Sequence, residues 1–348
     1  MYCCINCFKD THIRNTIEKY GTIGNCDFCS SKSVHIYDIS DPNPISDMII
    51  GLLEVYSISN DENAKLLKES LRDDWDIFNG DLEEIQVLLI ALCSFEPDIS
   101  DELFSSKVII PQLYDRDFLN EYGVVSGLTW NEFSTSIKYE NRFHSGKFNA
   151  DVFASFLSTA VKIYTVNSIF YRARISNNKN GFLCHEMYSP QKEKRSAGRI
   201  NPDGIGVLYL SSDDNTVLSE IRANVYDFVT IGEFQTKRDL KVVDLSGIAK
   251  MSPFIYDGSF EQFAANRKVF KEISSEIAKP LRRNDSTLEY LPTQYISEFV
   301  KSQGYDGVGY DSTIKRGGYN IALFDELSVE CKNVRTIEVT EIIYTTDY

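Results

Sequence analysis

The chain has 348 residues, a formal net charge of -15 and a pI near 4.8. Its length calls for two or three compact units, and an acidic surface repels phosphate backbones, which argues against general nucleic-acid binding. With 43% apolar and 12% aromatic residues it can build cores and is not a disordered chain.

The start, Met1-Tyr2-Cys3-Cys4-Ile5-Asn6-Cys7, lacks the basic and apolar regions of a secretory leader, and the apolar run Met48–Leu53 is too short to span a bilayer. No membrane partner is expected. Five of the eight cysteines fall within the first 29 residues, a bunching that suits a reducing cytoplasm better than a disulfide scaffold. Cys4-x-x-Cys7 and Cys26-x-x-Cys29 are separated by 18 residues, the spacing of a four-thiolate zinc site. Zn²⁺ there would be structural, because four thiolates leave no open position, and it would stabilise a knuckle too small for a core of its own. Reduced free thiols are the plainer alternative. Cys3 competes with Cys4 as a ligand, but the symmetry of two paired motifs favours Cys4.

Residues 41–165 read as an all-helical module. Ile45, Met48, Ile49, Leu52, Leu53 and Tyr56 recur at helical spacing. Asp81-Leu82-Glu83-Glu84 gives an acidic first turn before a buried helix, and Thr129 with Glu132 can form a capping box. A last helix is expected over about Ala150–Tyr164. After Val166 come short strand-like runs: Ile169–Arg174, Gly206–Leu210, Phe228–Phe234, Lys241–Leu245, Gly307–Tyr310, Ile321–Phe324 and Val339–Thr345. Helices near Asn215–Ala223, Glu261–Ile277 and Pro292–Ser302 lie between them, the last with Pro292 in its first turn. The pattern is that of an α+β domain over 166–348, preceded by a knuckle over 1–40 and the helical module over 41–165.

Within that domain, the glycine-punctuated loop Ala197-Gly198-Arg199-Ile200-Asn201-Pro202-Asp203-Gly204 runs into an apolar strand. Such a loop can present backbone N–H groups and an arginine to an anion. Three polar residues also sit beside apolar strands: Arg172, Glu220 and Ser312. Taken singly, each has an ordinary reading, as an ion-pair partner, a solvated helix charge and a turn residue. Charges drawn toward a core need partners or ligands, and these three could meet in one cleft. Arg174 is expected to turn away from the side of the strand that Arg172 occupies.

Taken in order, Tyr171-Arg172-Ala173-Arg174, Gly198-Arg199-Ile200-Asn201-Pro202 with Gly204, Tyr209-Leu210, Ser219-Glu220, Tyr305-Asp306-Gly307 through Ser312, and Asn320 before Leu323-Phe324 resemble the RES family. The resemblance covers about residues 168–326. The family's arginine, glutamate and serine fall on Arg172, Glu220 and Ser312. The N-terminal part, with Cys4, Cys7-Phe8-Lys9-Asp10, Cys26-Asp27-Phe28-Cys29 and the stretch from Trp130 to Arg142-Phe143, is similar to the HEPN/RES N-terminal region.

The resemblance implies a fold like the split β-sheet of ADP-ribosyltransferases and an NAD⁺-consuming activity. It implies a bacterial toxin, typically restrained by a helix-turn-helix antitoxin, which suits growth arrest or defence against phage. On that reading Arg172 or Arg199, with amides of the Gly198 loop and Asn201, would hold the pyrophosphate of NAD⁺. Glu220 would stabilise the oxocarbenium-like sugar, Ser312 would hydrogen-bond ribose or carboxamide, and Tyr171, Tyr209 or Tyr310 would stack on nicotinamide, with Asn320 completing the site. Hydrolysis, phosphorolysis and transfer of ADP-ribose to a protein all stay open. An RNase of the HEPN kind is a rival, but Arg142-Phe143-His144 sets its pair too close and His12 precedes Arg14 in the wrong order. A regulatory role that includes homo-oligomerisation or covering of the cleft suits the N-terminal half better.

Overall fold

The computed structural model describes residues 1–97, 99–279 and 286–342. It divides into two compact units, Met1–Gly127 with Met251–Lys268, and Leu128–Lys250 with Val269–Tyr348.

The first unit opens with β1 (Tyr2–Cys4), α1 (Thr11–Tyr20), β2 (Thr22–Gly24) and β3 (Val34–Asp38), which form an antiparallel sheet of order β1-β3-β2. Asp10 caps α1 by accepting the Ile13 N–H at 2.9 Å. The knuckle is tied to the rest of its unit through backbone bonds from Lys9 N–H to the Ile77 carbonyl and from Asn79 N–H to the Cys7 carbonyl, each 2.8 Å, with the Phe8 and Phe78 rings 5.5 Å apart. Helix α2 (Pro44–Leu53) buries Ile45, Ile49, Leu52 and Leu53, the stripe that its periodicity predicts. The following stretch is not all-helical. Between α2 and α6 (Arg116–Tyr122), the helices α3 (Leu67–Asp74), α4 (Leu82–Leu92) and α5 (Asp101–Ser105) are interleaved with a small sheet of β4 (Ser57–Ile58), β5 (Lys65–Leu66) and β6 (Lys107–Ile109), in the order β4-β6-β5. Strands of two or three residues are too short to carry a readable alternation.

The second unit contains α7 (Trp130–Tyr139), capped by the Thr129–Glu132 box, and α8 (Ala150–Thr159). Helix α8 ends five residues before the expected Tyr164, because Val161-Lys162-Ile163-Tyr164 form β7 and pair with a strand of the large sheet. β-branched residues in alternation fit a pleat better than a helix. That sheet adds β8 (Ile169–Ser176), β9 (Leu208–Ser211), β10 (Phe228–Thr236), β11 (Leu240–Asp244), β12 (Gly307–Asp311), β13 (Tyr319–Leu323) and β14 (Val329–Glu338). The order is β14-β10-β8-β9-β13-β12-β11-β7, antiparallel except for the parallel pair β11–β12. The last strand therefore lies ahead of the expected Val339–Thr345. Positions 339–342 are not strand, and 343–345 fall outside the described residues. As an edge strand β14 carries Glu330, Lys332, Asn333 and Arg335, which mask its alternation.

One joint in this sheet shapes everything near it. β10 pairs along eight positions of β8, whereas β8 and β9 meet only at Tyr171 opposite Ser211. The sheet thus consists of a three-stranded and a five-stranded part that diverge from one residue pair. Helix α9 (Asp214–Glu220) follows β9 directly, capped by Asp213, and packs Val217 with Ala173, Val229 and Ile231. The larger core joins Phe170, Met187, Leu208, Leu210, Phe234, Ile321 and Leu323. The remaining helices are α10 (Leu245–Ala249), α11 (Phe260–Ala278) and α12 (Leu291–Ser302). Phe234 is fully buried with its ring 5.3 Å from that of Tyr188. Replacing Phe234 by alanine is expected to cost about 3–5 kcal/mol, read as a lowered urea midpoint for this unit.

Candidate active site

Where β8 and β9 part, a cleft of about 520 Å³ opens, lined by β8, the loop Ser196–Asn201, β9, α9, the end of α11 and residues Tyr310, Ile314 and Asn320. Its centre is Glu220, the last residue of α9. One carboxylate oxygen, Oε1, accepts the Ser312 hydroxyl at 2.6 Å and the Asn320 amide Nδ2 at 2.8 Å. Ser312 in turn accepts the N–H groups of Ile314 (3.2 Å) and Lys315 (3.0 Å), so its hydroxyl hydrogen is directed at Glu220. Asn320 is only 4% exposed, and its Oδ1 accepts the Ser211 hydroxyl at 2.6 Å. The carboxylate is held as an acceptor by two neutral donors.

Arg172 faces the opposite problem. Its Nη1 reaches the Tyr209 carbonyl at 3.4 Å, across the gap between β8 and β9, and its Nε has no hydrogen-bond partner among the described residues. No carboxylate lies within ion-pair distance of it among those residues. Burial pushes its pKa down to about 10, Arg174 adds repulsion, and Glu326 and Tyr209 oppose the shift more weakly. Arg174 therefore does not point away. Residues i and i+2 of a strand share a face, and Arg174 lies over the Phe182 ring at 4.3 Å while donating to the Glu186 carbonyl.

The Gly198 loop is a wall more than an amide cradle. The N–H groups of Ala197, Gly198, Gly204 and Ile205 are all donated within the loop, to Asp203, Asn201, Arg195 and Pro202. Four successive carbonyls, those of Gly198, Arg199, Ile200 and Asn201, accept from Gln294, Thr293, Ser297 and again Gln294 of α12 at 2.7–2.9 Å. Gly198 is required by close approach: a Cβ there would lie 2.8 Å from Tyr209 Oη and 2.9 Å from Asn201 Oδ1. Arg199 is buried, with Nε donating to the Lys279 carbonyl at 2.8 Å and its guanidinium over the Tyr290 ring. Asn201 spends its amide on the carbonyls of Ser196, Pro202 and Ile205, and its Oδ1 on the Tyr209 hydroxyl at 2.8 Å. Burial raises the pKa of Tyr209 and Tyr310 well above the ordinary range, for Tyr310 with help from Tyr209 and Glu220, so both rings line the cleft as neutral phenols.

The structure therefore brings Arg172, Gly198, Arg199, Asn201, Tyr209, Glu220, Tyr310 and Asn320 to one cleft. Ser312 reaches it through Glu220. Tyr171 does not line it and packs instead with Ala173 and Val217. Ser211 and Arg222 are among the lining residues that escaped the sequence reading. Ser211 shares with Tyr209 one face of an otherwise apolar strand, a period-two signal that could have found it. Arg222 follows Glu220 at the rim and is exposed in the left-handed region (φ 51°), which no local motif announces. Nearby Tyr226 is also left-handed (φ 72°) and 77% exposed.

A second cluster lies in the N-terminal unit. The Sγ atoms of Cys4, Cys7, Cys26 and Cys29 all lie within 4.8 Å of one another, with Cys4–Cys29 and Cys7–Cys26 at 3.4 Å. The backbone N–H groups of Phe28 and Cys29 approach Cys26 Sγ at 3.4 and 3.5 Å. Cys3 is buried outside this group. Sulfurs of a tetrahedral four-thiolate site with metal–sulfur bonds of about 2.3 Å sit about 3.8 Å apart, so the donor set fits a zinc ion.

The architecture is an α+β domain in which a mixed sheet parts over a cleft holding one fixed carboxylate and one unpaired guanidinium. A family model described as the RES domain matches residues 169–347, and the chain belongs to that family. Among solved structures, it is similar to a chain of the M. tuberculosis MbcT–MbcA toxin–antitoxin complex, at 11% identity over 53% of this chain and 90% of that one, with a TM-score of 0.32. No curated protein matches the chain. Among the described residues, no helix is long and apolar enough to cross a membrane.

A half-buried guanidinium with no carboxylate partner among the described residues is a stability liability when no ligand is bound. Its folded pKa of about 10 lies below the unfolded value, so the penalty is present in full below that pH and fades as pH rises from there through the unfolded value. Arg172→Met is therefore expected to raise the thermal midpoint of the ligand-free protein at pH 7, and to abolish any stabilisation by added inorganic pyrophosphate.

Proposed function

We propose that the cleft binds NAD⁺ and cleaves its nicotinamide–ribose bond, and that the protein acts as a toxin by draining NAD⁺. The observation that carries this reading is the pairing, in one cleft, of a fixed carboxylate with a half-buried guanidinium that lacks an anionic partner among the described residues. An unpaired guanidinium in a chain of charge -15 is best explained by an anionic ligand, and a pyrophosphate accepts its fork of donors bidentately. Arg172 suits that role better than Arg199, whose Nε is committed to the Lys279 carbonyl.

When the bond between ribose C1′ and the pyridinium nitrogen breaks, its electron pair passes to that nitrogen and nicotinamide leaves neutral. No general acid is needed. The positive charge left on the ribose is stabilised by Glu220, whose free oxygen can also orient the incoming nucleophile. Ser312 acts here by holding Glu220, and Tyr209 and Tyr310 offer apolar ring surface for nicotinamide. Water as nucleophile gives ADP-ribose, phosphate gives a phosphorylated ADP-ribose, and a protein acceptor gives a modified protein.

Incubation with NAD⁺ at varied phosphate, followed by mass spectrometry of small and macromolecular products, separates these outcomes. Glu220→Gln is expected to lower NAD⁺ loss at least 10²-fold, by analogy with removal of one electrostatic stabiliser. Equal, negligible loss with both proteins would sink the proposal.

For the N-terminal unit we propose a structural zinc held by Cys4, Cys7, Cys26 and Cys29, and a regulatory role that includes restraint by an antitoxin-like partner. Elemental analysis is expected to find one zinc ion per chain. Cys26→Ser is expected to lose the metal and unfold this unit at lower temperature, as metal affinity is also folding free energy.

A further inference from the structure

We propose that Ser211 is the positioning residue of this cleft, fixing the Asn320 amide so that Glu220 meets its substrate in a single orientation. The inference rests on the reading of Glu220 as the reacting carboxylate. Asn320 can serve Glu220 only with its NH₂ turned toward Oε1, since the reverse orientation would set two acceptors 2.8 Å apart. In the observed orientation, Asn320 Oδ1 points into a buried space where it accepts the Ser211 hydroxyl at 2.6 Å. Ser211 is 3% exposed and Asn320 4%, so bulk water does not replace a lost hydroxyl. Removing it leaves a buried carbonyl oxygen unsatisfied and frees the amide to rotate. Glu220 then loses one of its two donors.

The place of Ser211 in the sheet gives this chain of bonds its meaning. On β9, Ser211 lies opposite Asn320 of β13 and also opposite Tyr171 of β8, at the sole residue pair that joins the two parts of the sheet. The hydroxyl is thereby anchored at the apex of the cleft. The relay Ser211 to Asn320 to Glu220 ties the orientation of the carboxylate to the closure of that joint. Ser312 supplies the other donor from β12's end, so Glu220 is braced from two strands.

The test is a double-mutant cycle with a readout that needs no substrate. Ser211→Ala is expected to lower kcat for NAD⁺ cleavage about tenfold, the scale of one hydrogen bond, with KM changed less than about twofold. In the Asn320→Ala background the same substitution is expected to cost nothing further, because Ser211 acts through Asn320. Independently, NMR is expected to show faster hydrogen exchange of the Asn320 side-chain amide in Ser211→Ala, while backbone amides of β9 and β13 keep their protection. Unchanged exchange at Asn320, or an equal loss of kcat in both backgrounds, overturns the assignment. If the wild-type protein consumes no NAD⁺, the functional reading fails on its own, and the amide exchange alone decides the role of Ser211.

Discussion

The pairing of Tyr171 with Ser211 is a single contact on which the C-terminal unit depends. A continuous β8–β9 ladder would close the sheet and leave no room between the strands. Complete separation would leave β9 with unpaired backbone groups along one edge. One pair is the intermediate solution, and the gap it leaves is partly covered by Arg172, which reaches the Tyr209 carbonyl across it. The group that bridges the opening is thus also the charge at its floor. Helix α9 follows from the same geometry: it springs from β9 just beyond the joint and ends at Glu220, so the carboxylate sits beside the gap.

Electrostatically the site separates two kinds of charged group. Glu220 is provided for, with donors from Ser312 and Asn320. Arg172 is not, and burial lowers its pKa for that reason. A folded protein keeps such an imbalance where a ligand redresses it, at the expense of stability while the ligand is absent. The other arginine of the motif loop, Arg199, has become part of the scaffold by stacking on Tyr290 and bonding a carbonyl. Two arginines of one family motif region therefore differ: Arg199 is committed to the scaffold, whereas Arg172 has no carboxylate partner among the described residues.

The sequence reveals the elements whose signals are local. The acidic first turn at Asp81–Glu84 and the capping box at Thr129–Glu132 mark α4 and α7, Pro292 marks the start of α12, and the apolar runs of β8, β10, β11 and β12 are plain. The small sheets of the first unit, the edge strands β7 and β14 and the true end of α8 are not, because short strands and polar edges carry little periodicity. The site follows the same division. Arg172, Glu220 and Ser312 could be singled out in sequence, and the motif order made them a set. Which of them touch one another could not be read, since Ser312 and Glu220 come together from 92 residues apart. The use of the Gly198 loop amides within the loop itself is also a tertiary fact, invisible in a glycine pattern that suggests an open cradle.

The four loop carbonyls fastened to α12 have one more consequence. A wall bonded in this way is already ordered before a ligand arrives, so binding against it forfeits little conformational entropy and selects for a ligand whose shape matches a fixed surface.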